Sequence, residues 1–305
     1  MAIQHENPAL LASLKSLLSS ETDFVKTDVK LTDFDGCLYL IKGLDSNRLS
    51  VSIYSPNLDS VSQAGGLAAL QRNYSNFESS TSPNTFALTV ERTNSDDPAE
   101  KQNLANQVAC QLSILRVVLM SGPFLQALEG LRNNSVAPAE VLLRKNEYLW
   151  VVPGESRVSF VFEINFLDST DSSFAKVFVQ EFVEAKRQVP NSPLVTFSPN
   201  SPEYIRSFPN SGRKPSVGFL SFTVLKEHSK DPEQCARQLC CFRQYLNYHI
   251  HACKTYLHMR MRKRTDVLLD VLKEAVPESI EAKSFKRVRA TQTRREESKI
   301  VHSLS

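Results

Sequence analysis

The sequence predicts an α+β fold: two similar domains, each a mostly antiparallel sheet packed by helices, with a very long C-terminal helix. Three observations carry this reading. A meander of short alternating strands followed by helical patterning occurs twice along the chain. Turn residues such as Asp35-Gly36 and Asp45-Ser46-Asn47 separate the first set of strands closely enough for antiparallel pairing. From Glu233 to Val276 there is neither Gly nor Pro, and Asp231-Pro232 before this stretch has the form of a helix start.

In order, residues 8–19 read as a short amphipathic helix. Lys15 interrupts the apolar run there, so no signal peptide is expected. Val25–Leu31, Cys37–Ile41 and Leu49–Tyr54 read as strands of the first meander. A short helix follows Gly65-Gly66 and ends by Tyr74, and Phe86–Val90 reads as a further strand. Asp96-Asp97-Pro98 starts a second helix with Leu104, Val108, Leu112, Leu115 and Leu119 on one face, and Gly122-Pro123 is expected to kink or end it. Val141–Leu143, Tyr148–Val152 and Val158–Phe166 form the second meander. Phe174–Val183 reads as a strong strand, Leu194–Phe197 and Val217–Leu225 as further strands, and 199–216 as an exposed Pro/Ser/Asn-rich loop. The expected domains are 1–125, then 126–277 ending in the long helix 231–276, then a basic, disordered tail 278–305.

The long helix would extend about 65 Å at 1.5 Å per residue, too far for one small domain to cover. Leu239, Phe242, Leu246, Ile250, Cys253, Leu257 and Met261 step by three or four along it, and Leu268, Leu272 and Ala275 continue the row. A second row, Tyr245, His249, Ala252, Tyr256 and Met259, makes the apolar surface broader than a two-helix seam needs. One face therefore suits the chain's own sheet, and the rest suits a partner protein.

Hydrophobic residues make up 41% of the chain, enough for real cores. No apolar run approaches the ~20 residues of a membrane-spanning helix. Six cysteines without regular spacing fit a reducing compartment. The charge is uneven: residues 231–277 hold eight Lys/Arg against five Asp/Glu, and 278–305 hold seven against four. The C-terminal end is thus the basic end and attracts acidic partners.

Two motifs suggest chemistry. Asp33-Phe34-Asp35-Gly36 resembles the nucleophile motif of Mg²⁺-dependent haloacid-dehalogenase phosphatases, with Asp33 as nucleophile and Asp35 as acid/base. That chemistry normally follows a buried, continuously apolar parallel strand. Here Lys26–Thr32 alternates with charges, which favours a tight turn between antiparallel strands. His249 and Cys253 have metal-ligand spacing, but no second pair completes a tetrahedral set. No catalytic, cofactor or metal residue is therefore assigned. The basic tail (Lys286, Arg287, Arg289, Arg294, Arg295) offers an alternative as a nucleic-acid-binding segment, but it lacks interleaved aromatics apart from Phe285.

Several stretches, in order along the chain, resemble subunit 2 of the actin-related protein 2/3 complex. They are Asp33-Phe34-Asp35-Gly36 to Ile41, Lys176-Val177-Phe178-Val179-Gln180-Glu181-Phe182 to Arg187, and Val217 to Thr223. The most specific is Phe242-Arg243-Gln244-Tyr245-Leu246-Asn247-Tyr248-His249-Ile250, continuing through Tyr256 to Arg262. The resemblance implies two related α/β domains and a long helix that packs antiparallel to its counterpart in subunit 4. It implies a cytoplasmic, cytoskeletal protein that is not an enzyme. Its complex binds a mother actin filament and nucleates a branch, and nucleotide binds the actin-related subunits instead. On this basis Leu239, Phe242, Tyr245, Leu246, Ile250 and Leu257 are expected to form the subunit-interface region of the helix, buried some against this chain and some against subunit 4. Lys186, Arg187, Arg260, Lys263 and Arg264 are expected to face the actin filament. No cofactor, nucleic acid or membrane span is expected.

Overall fold

The computed structural model describes residues 5–20, 23–92, 97–186, 188–189 and 192–275. The chain divides into two units, Met1–His251 and Ala252–Ser305. The first unit holds both sheets. Helix α1 (Pro8–Ser19) begins where the Asn7 side chain accepts the Leu10 N–H at 2.9 Å, with Pro8 at the first helical position. Its Leu10, Leu14 and Leu18 are spaced by four, are fully buried, and belong to the face that packs along α4.

The first sheet contains β1 (Asp28–Thr32), β2 (Leu38–Gly43), β3 (Arg48–Tyr54), β4 (Glu78–Ser82) and β5 (Thr85–Glu91), in the spatial order β1-β2-β3-β5-β4. The second contains β6 (Ala139–Arg144), β7 (Glu147–Pro153), β8 (Arg157–Ile164), β9 (Leu194–Ser198) and β10 (Gly218–Leu225), in the order β6-β7-β8-β10-β9. The two orders are the same, and all pairings are antiparallel. The duplicated plan expected from the two meanders is therefore present. Register keeps like faces together: Tyr39 pairs Ile53, Ile41 pairs Val51, and Val51 pairs Leu88, so every second residue enters the core.

Helices α2 (Leu58–Gln63) and α3 (Gly66–Asn73) link β3 to β4, while α4 (Pro98–Ser113) and α5 (Leu115–Arg132) link the two sheets. Gly122-Pro123 does not end the helix: the helical path bends by 50° at Ile114, and α5 continues past Pro123 to Arg132. The glycine is there for packing: a Cβ on Gly122 would lie 2.4 Å from the Gly66 Cα, so α3 and α5 meet backbone to backbone. Helix α5 is buried along most of its length, as an interior helix should be. The expected domain boundary at 125–126 falls inside it. Alone, no described helix is long and apolar enough to cross a membrane.

Three further expectations differ from the structure. Phe174–Val183 is not a strand but part of helix α6 (Ser169–Lys186). Its valines and phenylalanines favour strands locally, but Phe174, Phe178 and Phe182 step by four. Asp168 Oδ1 accepts the Thr170 and Asp171 N–H groups at 2.7 and 3.3 Å, capping the first turn. The strand expected from Val25 begins only at Asp28, because Phe24–Lys26 forms a 3-10 turn capped by Asp23. The segment 199–216 is not wholly exposed. A 3-10 turn at Glu203–Ile205 places Ile205 in a buried cluster with Trp150, Val161 and Phe219 on the second sheet.

Helix α7 spans Pro232–Glu274, and Asp231 Oδ1 accepts the Gln234 N–H at 3.0 Å, as the cap pattern predicts. Within the first unit it buries Ala236, Leu239, Phe242, Leu246 and Ile250. Phe242 lies 5.0 Å from Phe222 and 5.3 Å from Phe182, ring centroid to centroid, so α6 and α7 share an aromatic core with β10. In the second unit, every described side chain from Ala252 to Ala275 is exposed except Lys254. The tail 278–305 lies outside the described residues.

Candidate functional site

The Asp33–Gly36 turn is the first candidate, and its geometry decides what it can do. Phe34–Gly36 forms a 3-10 turn in which Asp35 adopts φ 66° and Gly36 φ 73°, the left-handed region that Asp tolerates better than most residues. Asp33 Oδ2 accepts the Tyr39 hydroxyl at 2.9 Å and Arg116 Nε at 3.2 Å. Asp35 accepts Arg116 Nη1 at 3.2 Å on one oxygen and Arg144 Nε on the other. Arg144 also reaches Glu147 at 3.4 Å. Glu147 in turn accepts Arg243 from α7, with Nη2 at 2.7 Å and Nε at 3.1 Å. Arg243 donates onward to the Asn165 carbonyl at 3.1 Å and lies 4.2 Å from the Phe166 ring centroid.

These charges are inside the protein. The two aspartate side chains are 6% exposed and Arg116 5%, so the ion pairs stand in for the water that burial removes. Burial pushes the Asp35 carboxyl up, but Arg144 and Arg116 outweigh it and hold the group below its ordinary value. Burial opposes the charge on Arg116 as well, and Asp35 and Asp33 more than restore it. Burial and the Asp33 carboxylate push the Tyr39 phenol far up, so it stays a neutral donor. Carboxylates already bound by guanidinium and phenol are neither free nucleophiles nor free acids. The turn between antiparallel strands is thus a structural ionic joint, and the phosphatase reading of Asp33 and Asp35 is set aside. Among the described residues, no group of three or more His, Cys, Asp and Glu is placed to hold a metal ion. His249 stacks on Phe178 and meets Tyr245 edge-on at 4.1 Å.

The second candidate is helix α7, and the residues assigned to its partner face divide. Leu239, Phe242, Leu246 and Ile250 are buried in the chain's own core, and Tyr245 is half-buried. Leu257, in the second unit, is 40% exposed. Met261, Leu268 and Leu272 repeat at helical spacing beyond it, at 56%, 63% and 61% exposed. Arg260, Lys263 and Arg264 are exposed beside them, and the Arg260 guanidinium lies 5.7 Å from the Tyr256 ring centroid. Lys186 ends α6 rather than following a strand and is half-buried. Arg187 lies outside the described residues.

Sequence reasoning missed Arg116, Arg144, Glu147 and Arg243 as a group. One signal was available: Arg116 sits alone in the otherwise apolar run Leu115–Met120, where a charge needs a partner. Which carboxylates would meet it is a matter of tertiary folding.

Carboxylates locked inside by arginines, and an exposed apolar row along a long helix, suit a structural class of protein. A family model described as "Arp2/3 complex, 34 kD subunit p34-Arc" matches residues 51–279, and the chain belongs to that family, whose members are non-catalytic scaffold subunits. It is 30% identical over 253 residues to "Actin-related protein 2/3 complex subunit 2" of Dictyostelium discoideum, covering 81% of this chain and 85% of that protein. It is 27% identical over 309 residues to subunit 2A of Arabidopsis thaliana, covering 94% and 96%. It is also 27% identical over 304 residues to subunit 2 of Schizosaccharomyces pombe, covering 91% and 95%.

Proposed function

We propose that this chain is a structural, actin-binding subunit of a cytoplasmic, cytoskeletal actin-related protein 2/3 complex. In this role α7 packs against the corresponding helix of subunit 4, and the assembled complex contacts the mother filament and supports nucleation of a branched filament. The observation that carries the reading is the exposed row Leu257, Met261, Leu268 and Leu272 on a helix inside the family-matched region. An uncovered apolar stripe of this kind favours association. Leu239, Phe242, Leu246 and Ile250 support the interface from behind, by anchoring the start of the helix in the first unit. Lys186, Arg187, Arg260, Lys263 and Arg264 supply positive charge toward the acidic actin surface.

Expression of the chain alone and together with subunit 4 tests this. Alone, the chain should be poorly soluble and stay in solution only at low concentration. With subunit 4 it should elute as a soluble heterodimer. A soluble, monodisperse chain that ignores subunit 4 would refute the assignment.

A further inference from the structure

Assembly through α7 gives no reason for the Asp33–Gly36 turn or for the charges gathered around it. Six side chains form one alternating row: Asp33, Arg116, Asp35, Arg144, Glu147, Arg243. The row visits four pieces of the first unit: the β1–β2 turn, α5, the β6–β7 hairpin and α7. Each inner member touches an opposite charge on both sides, and the row balances three carboxylates against three guanidiniums.

We propose that this row is a conformational latch. It fastens the β1–β2 turn of the first sheet to the β6–β7 hairpin of the second and to α7, and it is released when any one charge is removed.

The joint is of a different kind from the rest of the core. Elsewhere the second sheet is joined to α5 by apolar packing, as where Phe124 lies 5.1 Å from Phe160 and 5.6 Å from Phe162. At the turn, Phe34 is 53% exposed and Leu38 41%, and the Phe34 ring meets the row itself, with the Arg116 guanidinium 5.9 Å from its centroid. The Asp35 and Arg144 side chains make the link there, and beside it the Ser60 hydroxyl of α2 accepts the Leu142 N–H of β6 at 2.8 Å. Apolar contacts tolerate small slips, whereas paired buried charges do not, because a shift of either partner strands an ion in a low-dielectric interior. The left-handed Asp35 backbone points the same way. A glycine would hold that conformation with less strain but could not supply the carboxylate.

The test is hydrogen exchange on the full-length chain, purified with whatever partners it carries. Arg144→Gln removes the central charge, Arg144→Lys keeps it, and Val141→Ala weakens the same hairpin through apolar packing alone. In Arg144→Gln, exchange should rise together in residues 33–43, 139–153 and 239–250, by about tenfold or more, while 194–198 and 218–225 keep their protection. Arg144→Lys should restore part of the protection in all three segments. Val141→Ala should loosen 139–153 without 33–43. If Arg144→Gln fails to accumulate, Asp35→Asn, which keeps the turn's shape, must give the same paired opening. Exchange that rises only beside the substitution, or evenly through both sheets, overturns the latch.

Discussion

Replacing Leu268 and Leu272 together with Ala separates the assembly role of α7 from its folding role. The two side chains are 63% and 61% exposed, so most of their surface remains for a partner to cover. Fully burying a leucine contributes roughly 1.5–3 kcal/mol, so covering this remainder is worth about 1–2 kcal/mol at each position. Alanine keeps a fraction of that, and the double variant should lose about 2–3 kcal/mol of association, or about 30- to 150-fold in affinity. Its own fold should hardly change, since exposed substitutions stay within about 0.5 kcal/mol and alanine favours the helix. Leu246 is 0% exposed and provides the contrast. Leu246→Ala should cost about 2–5 kcal/mol of stability, and assembly should fail only as far as the chain unfolds. Titration against purified subunit 4, paired with thermal melts of each variant, reads both effects. Wild-type affinity in the double Leu268/Leu272 variant would show that this half of the helix is not the docking face.

Other outcomes follow from the same geometry. Reversing Lys186, Arg187, Lys263 and Arg264 to Glu should leave the complex assembled but weaken its cosedimentation with actin filaments, most clearly at moderate salt. Loss of assembly instead would assign these charges to the subunit interface. Asp35 has a depressed folded pKa, so its pairing adds stability above the unfolded value of about 3.9. That stability is lost as pH falls through the lower folded value. The acid limb of stability against pH should flatten in Asp35→Asn, and an unchanged limb would mean that the pair adds nothing. Cys110 and Cys253 are the exposed thiols and should alkylate first in the free chain. In the complex, Cys253 should gain protection while Cys110 does not, and equal labelling in both states would place the partner elsewhere.

The architecture was largely legible because most elements carry their own period and caps. The amphipathic stretch 8–19 announced α1, and Asp231-Pro232 announced α7. Helix α6 was misread because Val177, Phe178 and Val179 favour strands. The step of four through Phe174, Phe178 and Phe182 and the Asp168 cap were the local signs against it, and the aromatic core of Phe222 and Phe242 receives that face. An end at Gly122-Pro123 was a wrong option because the sequence does not show that Gly122 serves packing against Gly66. At the candidate site, the apolar row along α7 was visible, but its division was not. Leu246 and Leu268 fit one helical pattern, and only tertiary packing buries the first and leaves the second exposed. The ionic row was the least legible feature. Arg116 finds Asp33 and Asp35 across more than eighty residues of sequence, a pairing that no local pattern encodes.

The central claim is that this chain works as part of an actin-binding assembly. Affinity purification of the tagged full-length chain from its own cells, followed by size-exclusion chromatography and cosedimentation with actin filaments, tests it most directly. The account predicts co-elution with both actin-related subunits and subunit 4 in one peak that pellets with filaments and seeds branches. A chain that elutes alone as a monomer and stays in the supernatant would contradict it.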